Sequence, residues 1–272
     1  MIAAPRVLIL RAPGTNCDEE TAYAFDVAGG VSERVHVNRL IENPTLGSRY
    51  QILCIPGGFS YGDDIAAGRI LASRLNRHLA DLVRSFCDQD RLVLGICNGF
   101  QVLMRLGILT QGVSESTPAT LAWNDHGRFE DRWVHLRTDR PAEAPTSCVF
   151  LRNIERMYLP MAHAEGKFIA ESSETLAKLA AAGRLPLRYA SPEELGGAID
   201  TGDALLPFPH NPNGAEGNVA GVCDASGRLF GLMPHPERHI DPTHHPYWTR
   251  RDEQPEHGEG YAIFKNAVDY FA

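Results

Sequence analysis

Residues 92–101 read Leu-Val-Leu-Gly-Ile-Cys-Asn-Gly-Phe-Gln, with the cysteine at position 97. An apolar run ends in Gly-x-Cys-x-Gly and passes directly into a helical pattern over 98–107. That is the strand–turn–helix context of a nucleophile elbow. Gly95 and Gly99 carry no side chain, so the chain can turn sharply there and a substrate can come close. Cys97 then stands at a helix N-terminus, where the dipole favours the thiolate, the reactive form of the side chain. A lone cysteine in an apolar run reads as a buried structural residue. The two glycines and the strand–helix junction turn this one into a nucleophile candidate.

The same alternation extends on both sides of this stretch. Apolar runs at 6–11, 35–38 and 51–56 read as strands. Helical patterns follow at 18–28, closed by Gly29-Gly30, and from 65 to 88, where Ile70, Leu71, Leu75, Leu79, Leu82, Val83 and Phe86 recur at helical spacing. This order predicts an α/β fold: an open, mostly parallel twisted sheet with helices on both faces. Reactive groups in such sheets gather at the carboxyl ends of strands. The rule singles out 12–18, 56–64 and 95–99. The second half supplies strand-like runs at 132–138, 148–152, 158–163, 187–190, 218–224 and 228–234, a helix at 173–183 and a final helix near 260–271. It reads as a mixed-strand extension of the same sheet. No linker-like shift in composition occurs, so 1–272 reads as one domain, with the His- and Pro-rich 239–258 as a surface excursion.

A cysteine nucleophile needs a base. Met233-Pro-His235-Pro-Glu237-Arg follows the apolar run RLFGL, again at a strand's carboxyl end. In an extended segment, side chains two residues apart point the same way. Glu237 can then orient His235 and complete a Cys–His–Glu relay. The alternative for an isolated His-x-Glu is a solvated turn. Acyl transfer also needs donors for an oxyanion. Pro56-Gly57-Gly58 ends the run ILCI, and the amides of Gly58 and Asn98 are the candidates.

Composition narrows the function classes. The chain has 272 residues and a formal charge of −8, with 43% apolar and 22% charged residues. Neutralising a phosphate backbone needs clustered basic charge, so nucleic acid is excluded as the main partner. Six cysteines stand at 17, 54, 87, 97, 148 and 223 without a CxxC pair. No disulfide framework, zinc ribbon or thioredoxin motif is implied, and five of them fit structural roles. Neither a signal-peptide pattern nor a bilayer-length apolar run is present, so no membrane role and a cytoplasmic location are expected. A metal site built on His239, His244, His245 and His257 lacks a recognisable ligand spacing, and a solvated loop is the simpler reading. Asp18, Glu19 and Glu20 suit a helix start rather than a carboxylate site.

The blocks PGG, GICNGFQ and HPE, in that order, resemble the class I (triad) glutamine amidotransferases. Together with RAPGTNCDEET, PGGFSYGDD, AHAEGKF, NPNG with NVAGV, and GLMPHPER, they are similar to the glutaminase components of phosphoribosylformylglycinamidine synthases, across about residues 6–238. The resemblance implies that Cys97 is the nucleophile forming a glutamyl thioester, His235 the proton carrier and Glu237 its orienting partner. It places Gly58 and Asn98 at the oxyanion hole, and Gly57, Gln101, His163 and Glu165 around the glutamine pocket. Ala164 stands where the family segment AHGEG carries glycine. The implied substrate is L-glutamine. The implied partner is a synthase subunit, with a third small subunit possible in the complex. No Walker loop occurs in the chain. No cofactor is expected in it, and ATP and Mg belong to the synthase. Two other readings start from the same pattern: a cysteine hydrolase on a related scaffold, and a non-catalytic module that has kept the fold.

Overall fold

The computed structural model describes residues 3–111, 113, 118–139, 148–192, 204–251 and 255–272. Four short apolar runs become parallel strands: β1 (Arg6–Arg11), β2 (Val31–His36), β3 (Ile52–Ile55) and β4 (Leu92–Ile96). Strands β3 and β4 are buried at every position, as a strand covered on both faces requires. Between them run α1 (Asp18–Val27), α2 (Val37–Glu42), α3 (Arg69–His78) and α4 (Ala80–Asp88), and α5 (Asn98–Arg105) follows β4. The second half adds β5 (Ala119–Ala122), β6 (Glu130–Thr138), β7 (Arg156–His163), β8 (Lys167–Ala170), α6 (Ser173–Ala181), β9 (Leu187–Ala190), β10 (Val219–Cys223), β11 (Leu229–Leu232) and α7 (Tyr261–Asp269).

One nine-stranded sheet has the order β2-β1-β3-β4-β11-β10-β9-β6-β7. The pairs from β2 to β11 are parallel, and those from β11 to β7 antiparallel. The sheet is thus a parallel half continued by an antiparallel half. On β7, buried and half-buried residues alternate, the mark of a strand covered on one face. The chain leaves β1 in one direction to β2 and returns past it to β3, so the strand order reverses between β1 and β3. Right-handed crossovers then put α1 on one face and the helices between β3 and β4 on the other. Helices α1 and α7 pack together, with Phe25 edge-on to Phe264 at 4.9 Å.

Several expected elements take another form. The helix expected over 65–88 is two, broken at Leu79, whose φ of −132° is not helical. Strand 35–38 is displaced: β2 ends at His36, whose side chain caps α2. CVFLR (148–152) is not a strand but a short 3-10 turn, Val149–Leu151. The side chain of Asn266 donates to the Phe150 and Arg152 carbonyls, so this apolar run is buried under α7 instead of joining the sheet. A small second sheet, β5 with β8, carries no clear pattern in the sequence. The 239–258 segment is not uniformly solvated. His239 is fully buried, its ring 5.0 Å from Trp133 and its Nδ1 3.0 Å from the Tyr158 carbonyl.

Candidate active site

Strands β1, β3, β4 and β11 lie side by side and parallel, so their carboxyl ends form one rim. Cys17 follows β1, Gly57 and Gly58 follow β3, Cys97 follows β4, and His235 and Glu237 follow β11. The reversal of strand order between β1 and β3 opens the crevice in which ligands of such sheets bind.

Cys97 has φ 51° and ψ −103°, a left-handed backbone that a side-chain-bearing residue adopts at a cost of about 1–3 kcal/mol. The surroundings enforce it. Its N–H donates to the Leu232 carbonyl at 2.8 Å, tying the turn to β11. A Cβ on Gly99 would lie 1.8 Å from the Ile55 carbonyl oxygen, and one on Gly95 would lie 2.7 Å from the Gly99 oxygen. The two glycines are therefore what let α5 start directly against β3. Cys97 Sγ lies 3.7 Å from the Ala162 carbonyl.

His235 and Glu237 are both buried, and His235 Nδ1 lies 2.6 Å from Glu237 Oε1. They meet through a short 3-10 turn, Pro236–Arg238, and not along an extended segment as their spacing implies. The turn is anchored twice. His235 N–H donates to the Pro160 carbonyl at 2.7 Å, and the backbone at Gly260 packs so closely on Pro236 that a Cβ there would reach its oxygen at 2.0 Å. The C-terminal helix is thus a support for this loop. Burial opposes a charge on His235, but the Glu237 carboxylate and a Cys97 thiolate beside the ring outweigh it and hold the imidazole well above its ordinary pKa. The arrangement favours an imidazolium beside the Glu237 carboxylate.

Gly58, with φ 134°, packs against the 14–16 loop, and a Cβ there would meet the Asn16 nitrogen and the Gly14 oxygen at 2.8 Å. Asn98 opens α5, where backbone amides lack helical acceptors. Its side chain is fully used: Oδ1 accepts from Ser60 N at 3.1 Å, and Nδ2 donates to Asp63 at 2.9 Å and Gln101 at 3.0 Å. These bonds hold the turn through Tyr61 and Asp63, both left-handed, over the helix start.

Gln101 is buried, and its Nε2 donates to the Glu165 carbonyl at 2.5 Å. Glu165 accepts from Ala67 N at 3.2 Å through either oxygen and lies 3.7 Å from Arg105. His163 is buried against Gly166, with Nδ1 3.1 Å from Asn124 Oδ1. Burial first, then His235 and His126, pulls its pKa down to about 3, so it is a neutral ring. Ala164 stays outside the left-handed region, so its methyl group fits where glycine was expected. Asn213 donates to the Gly166 carbonyl at 2.9 Å and braces the same segment, which gives NPNG a structural task.

The sequence reading missed Cys17. Its sulfur accepts from Arg238 Nη2 at 3.1 Å and lies against the His235 ring. A Cβ on Gly57 would fall 2.7 Å from His235 Cε1 and 3.2 Å from Cys17 Sγ. The one signal available was its place in the 12–18 segment, at a strand's carboxyl end.

A profile of the CobB/CobQ-like glutamine amidotransferase domain matches residues 4–271. Phosphoribosylformylglycinamidine synthase subunit PurQ of Dehalococcoides mccartyi is 42% identical over 97% of both chains. The subunit of the same name from Methanococcus maripaludis is 37% identical over 98% of this chain and 97% of its own. Among solved structures, PurLQS from Thermotoga maritima superposes with a TM-score of 0.68 at 26% identity, covering 99% of this chain and 100% of that one. A protein from Thermoplasma acidophilum described as part of a putative GMP synthase, at 12% identity and a TM-score of 0.55 over 98% of this chain and 94% of that one, shares the fold. With a strained cysteine elbow facing a buried His–Glu pair, and matches running almost end to end, the chain belongs to the CobB/CobQ-like glutamine amidotransferase family.

Proposed function

We propose that the chain is the glutaminase subunit of a phosphoribosylformylglycinamidine synthase, the whole of it serving as one amidotransferase domain. The carrying observation is the left-handed Cys97 beside a buried His235–Glu237 pair in a chain 42% identical to a subunit of that name. The Cys97 thiolate attacks the side-chain amide carbon of L-glutamine. The oxygen gains negative charge and is met by the backbone amides of Gly58 and Asn98. Losing one such donor costs about 10²–10³ in rate. His235 gives its proton to the departing nitrogen, so ammonia leaves and a glutamyl thioester remains. The neutral imidazole then takes a proton from water, hydroxide adds to the thioester, and glutamate leaves as the Cys97 thiolate is restored. Glu237 orients the ring and stabilises its cationic form. Gly57, Gln101, His163 and Glu165 form the pocket wall, and their bonds to the protein fix its shape.

Ammonia passes to a synthase subunit, where ATP and Mg drive its addition to formylglycinamide ribonucleotide in the cytoplasm. A third small subunit completes the complex. An enclosed path is required, because free ammonia is largely protonated at neutral pH and then no longer nucleophilic. The chain alone is a poor glutaminase, and docking completes the site.

The test is Cys97→Ser mixed with the synthase subunit. Glutamine-dependent synthesis should vanish while ammonia-dependent synthesis persists. Loss of both, or retention of glutamine use, refutes the division of labour. A second copy of the assay, with the unmodified chain alone, reads the activity gained on docking.

A further inference from the structure

The proposed chemistry leaves one buried reactive group unused. Cys17 is buried at the start of α1, 218 positions from His235 in sequence yet against its ring. One ligating atom from each of Cys17, His235 and Glu237 lies within 4.8 Å of the other two. His235 Nε2 and Glu237 Oε2 are buried without a hydrogen-bond partner, so Glu237 Oε2 is free to ligate and Nε2 becomes a ligand once the ring gives up its proton. Among the described residues no other group of three His, Cys, Asp or Glu meets this spacing.

We propose that Cys17, His235 and Glu237 form a binding site for a thiophilic divalent cation of the zinc class, and that a cation bound there shuts the glutaminase site off. Thiolate, imidazole and carboxylate are the donor types zinc selects, at about 2.3, 2.0–2.1 and 2.0–2.2 Å. Tetrahedral ligands at those lengths stand roughly 3.3–3.7 Å apart, so the cluster closes by up to about 1.5 Å. A Cys17 thiolate and the Glu237 carboxylate balance the two positive charges. On binding, the metal displaces the protons of the Cys17 thiol and of His235 Nε2 to solvent. The Cys97 thiol, against the same ring, is available as a fourth donor. Arg238 opposes the cation. Its guanidinium donates to Cys17 Sγ, yet its side chain is 39% exposed and lies 3.6 Å from Glu20, to which it can turn. A bound cation takes the lone pairs of His235, so no proton can reach the leaving nitrogen. This last step rests on the acid–base role proposed for His235; the binding itself does not.

Cobalt(II) is the probe, added under anaerobic conditions to the full chain carrying Cys97→Ala. One equivalent should bind and give the near-ultraviolet thiolate-to-cobalt charge-transfer band. The band should vanish when Cys17→Ser is added, with circular dichroism unchanged; Cys17→Ala substitutes if the serine variant does not fold. In the assembled synthase, Cys17→Ser should raise the half-inhibiting zinc concentration by about tenfold or more, the usual effect of losing a supporting or ligating group. Arg238→Gln should lower it. A missing band in the Cys97→Ala chain, a band that survives loss of Cys17, or unchanged zinc inhibition in Cys17→Ser overturns the site. A cobalt band without any zinc effect on glutamine use overturns the His235 assignment instead.

Discussion

Replacing Gly57 by alanine separates the geometry of the site from its chemistry. The added Cβ would lie 2.7 Å from His235 Cε1 and 3.2 Å from Cys17 Sγ. Carbon atoms in contact prefer about 3.5 Å or more, so the ring must retreat by roughly 0.8 Å. Its backbone is held at the other side, since His235 N–H is bonded to Pro160 and Pro236 abuts Gly260. The ring is therefore displaced from its present position, with every reactive group still in the chain. A misplacement near 1 Å at a reacting centre costs about 10²-fold in rate. Overpacking costs about 1–3 kcal/mol of stability, which a fold of this size survives. The assay is glutamate release by the chain assembled with its synthase partner and that partner's substrates. The turnover number should fall by about 10²-fold. Ammonia-dependent synthesis, which does not use this site, should hold. Turnover within about threefold of the unmodified chain, in a folded Gly57→Ala protein, refutes the claim that this close approach sets the His235 position.

Gly99→Ala places a Cβ 1.8 Å from the Ile55 oxygen, a backbone clash that no rotamer relieves. It should yield little folded protein, while Gly107→Ala, which meets nothing within 4 Å, should cost only about 1–2 kcal/mol through its left-handed backbone. Equal melting temperatures for the two would remove the close-approach explanation of the elbow. His163 is held neutral with its pKa near 3, against about 6.5 in the unfolded chain. The unfolded state binds more protons between those values, so this group's contribution is whole above pH 6.5 and is lost as pH falls toward 3, at up to about 1.4 kcal/mol per pH unit. Denaturant unfolding at about pH 6.5, 5.5 and 4.5 should show a shallower loss for His163→Gln than for the unmodified chain, and parallel slopes would refute the neutral buried ring.

Legibility in the sequence followed the range of the interactions involved. The elbow's pattern is local, since its strand, glycines and helix lie within ten residues, although the contacts that enforce it come from Ile55 on β3 and Leu232 on β11. The parallel strands were visible because burial on both faces leaves continuous apolar runs. The helix break at Leu79 was not, because the apolar spacing continues across it. Val149–Leu151 was misread as a strand because its apolar composition says that it is buried but not by what; the Asn266 side chain claims the flanking carbonyls. Strands β5 and β8 are four residues each and exist only through their mutual pairing.

The sequence by itself determined the α/β order, the candidate nucleophile and the His–Glu pair, because periodicity, glycine placement and residue type are properties of short stretches. The tertiary structure alone decided which of these meet. Strand order sets β1, β3, β4 and β11 edge to edge, and so brings Cys17, Gly57, Cys97 and His235 to one rim from four distant segments. It also closes His235 onto Glu237 through a turn rather than along a strand, and gives α7 the task of supporting that turn. Cys17 shows the difference most plainly: its place after a strand marks only a rim, and it is the strand order β1-β3-β4-β11 that places its sulfur against the imidazole.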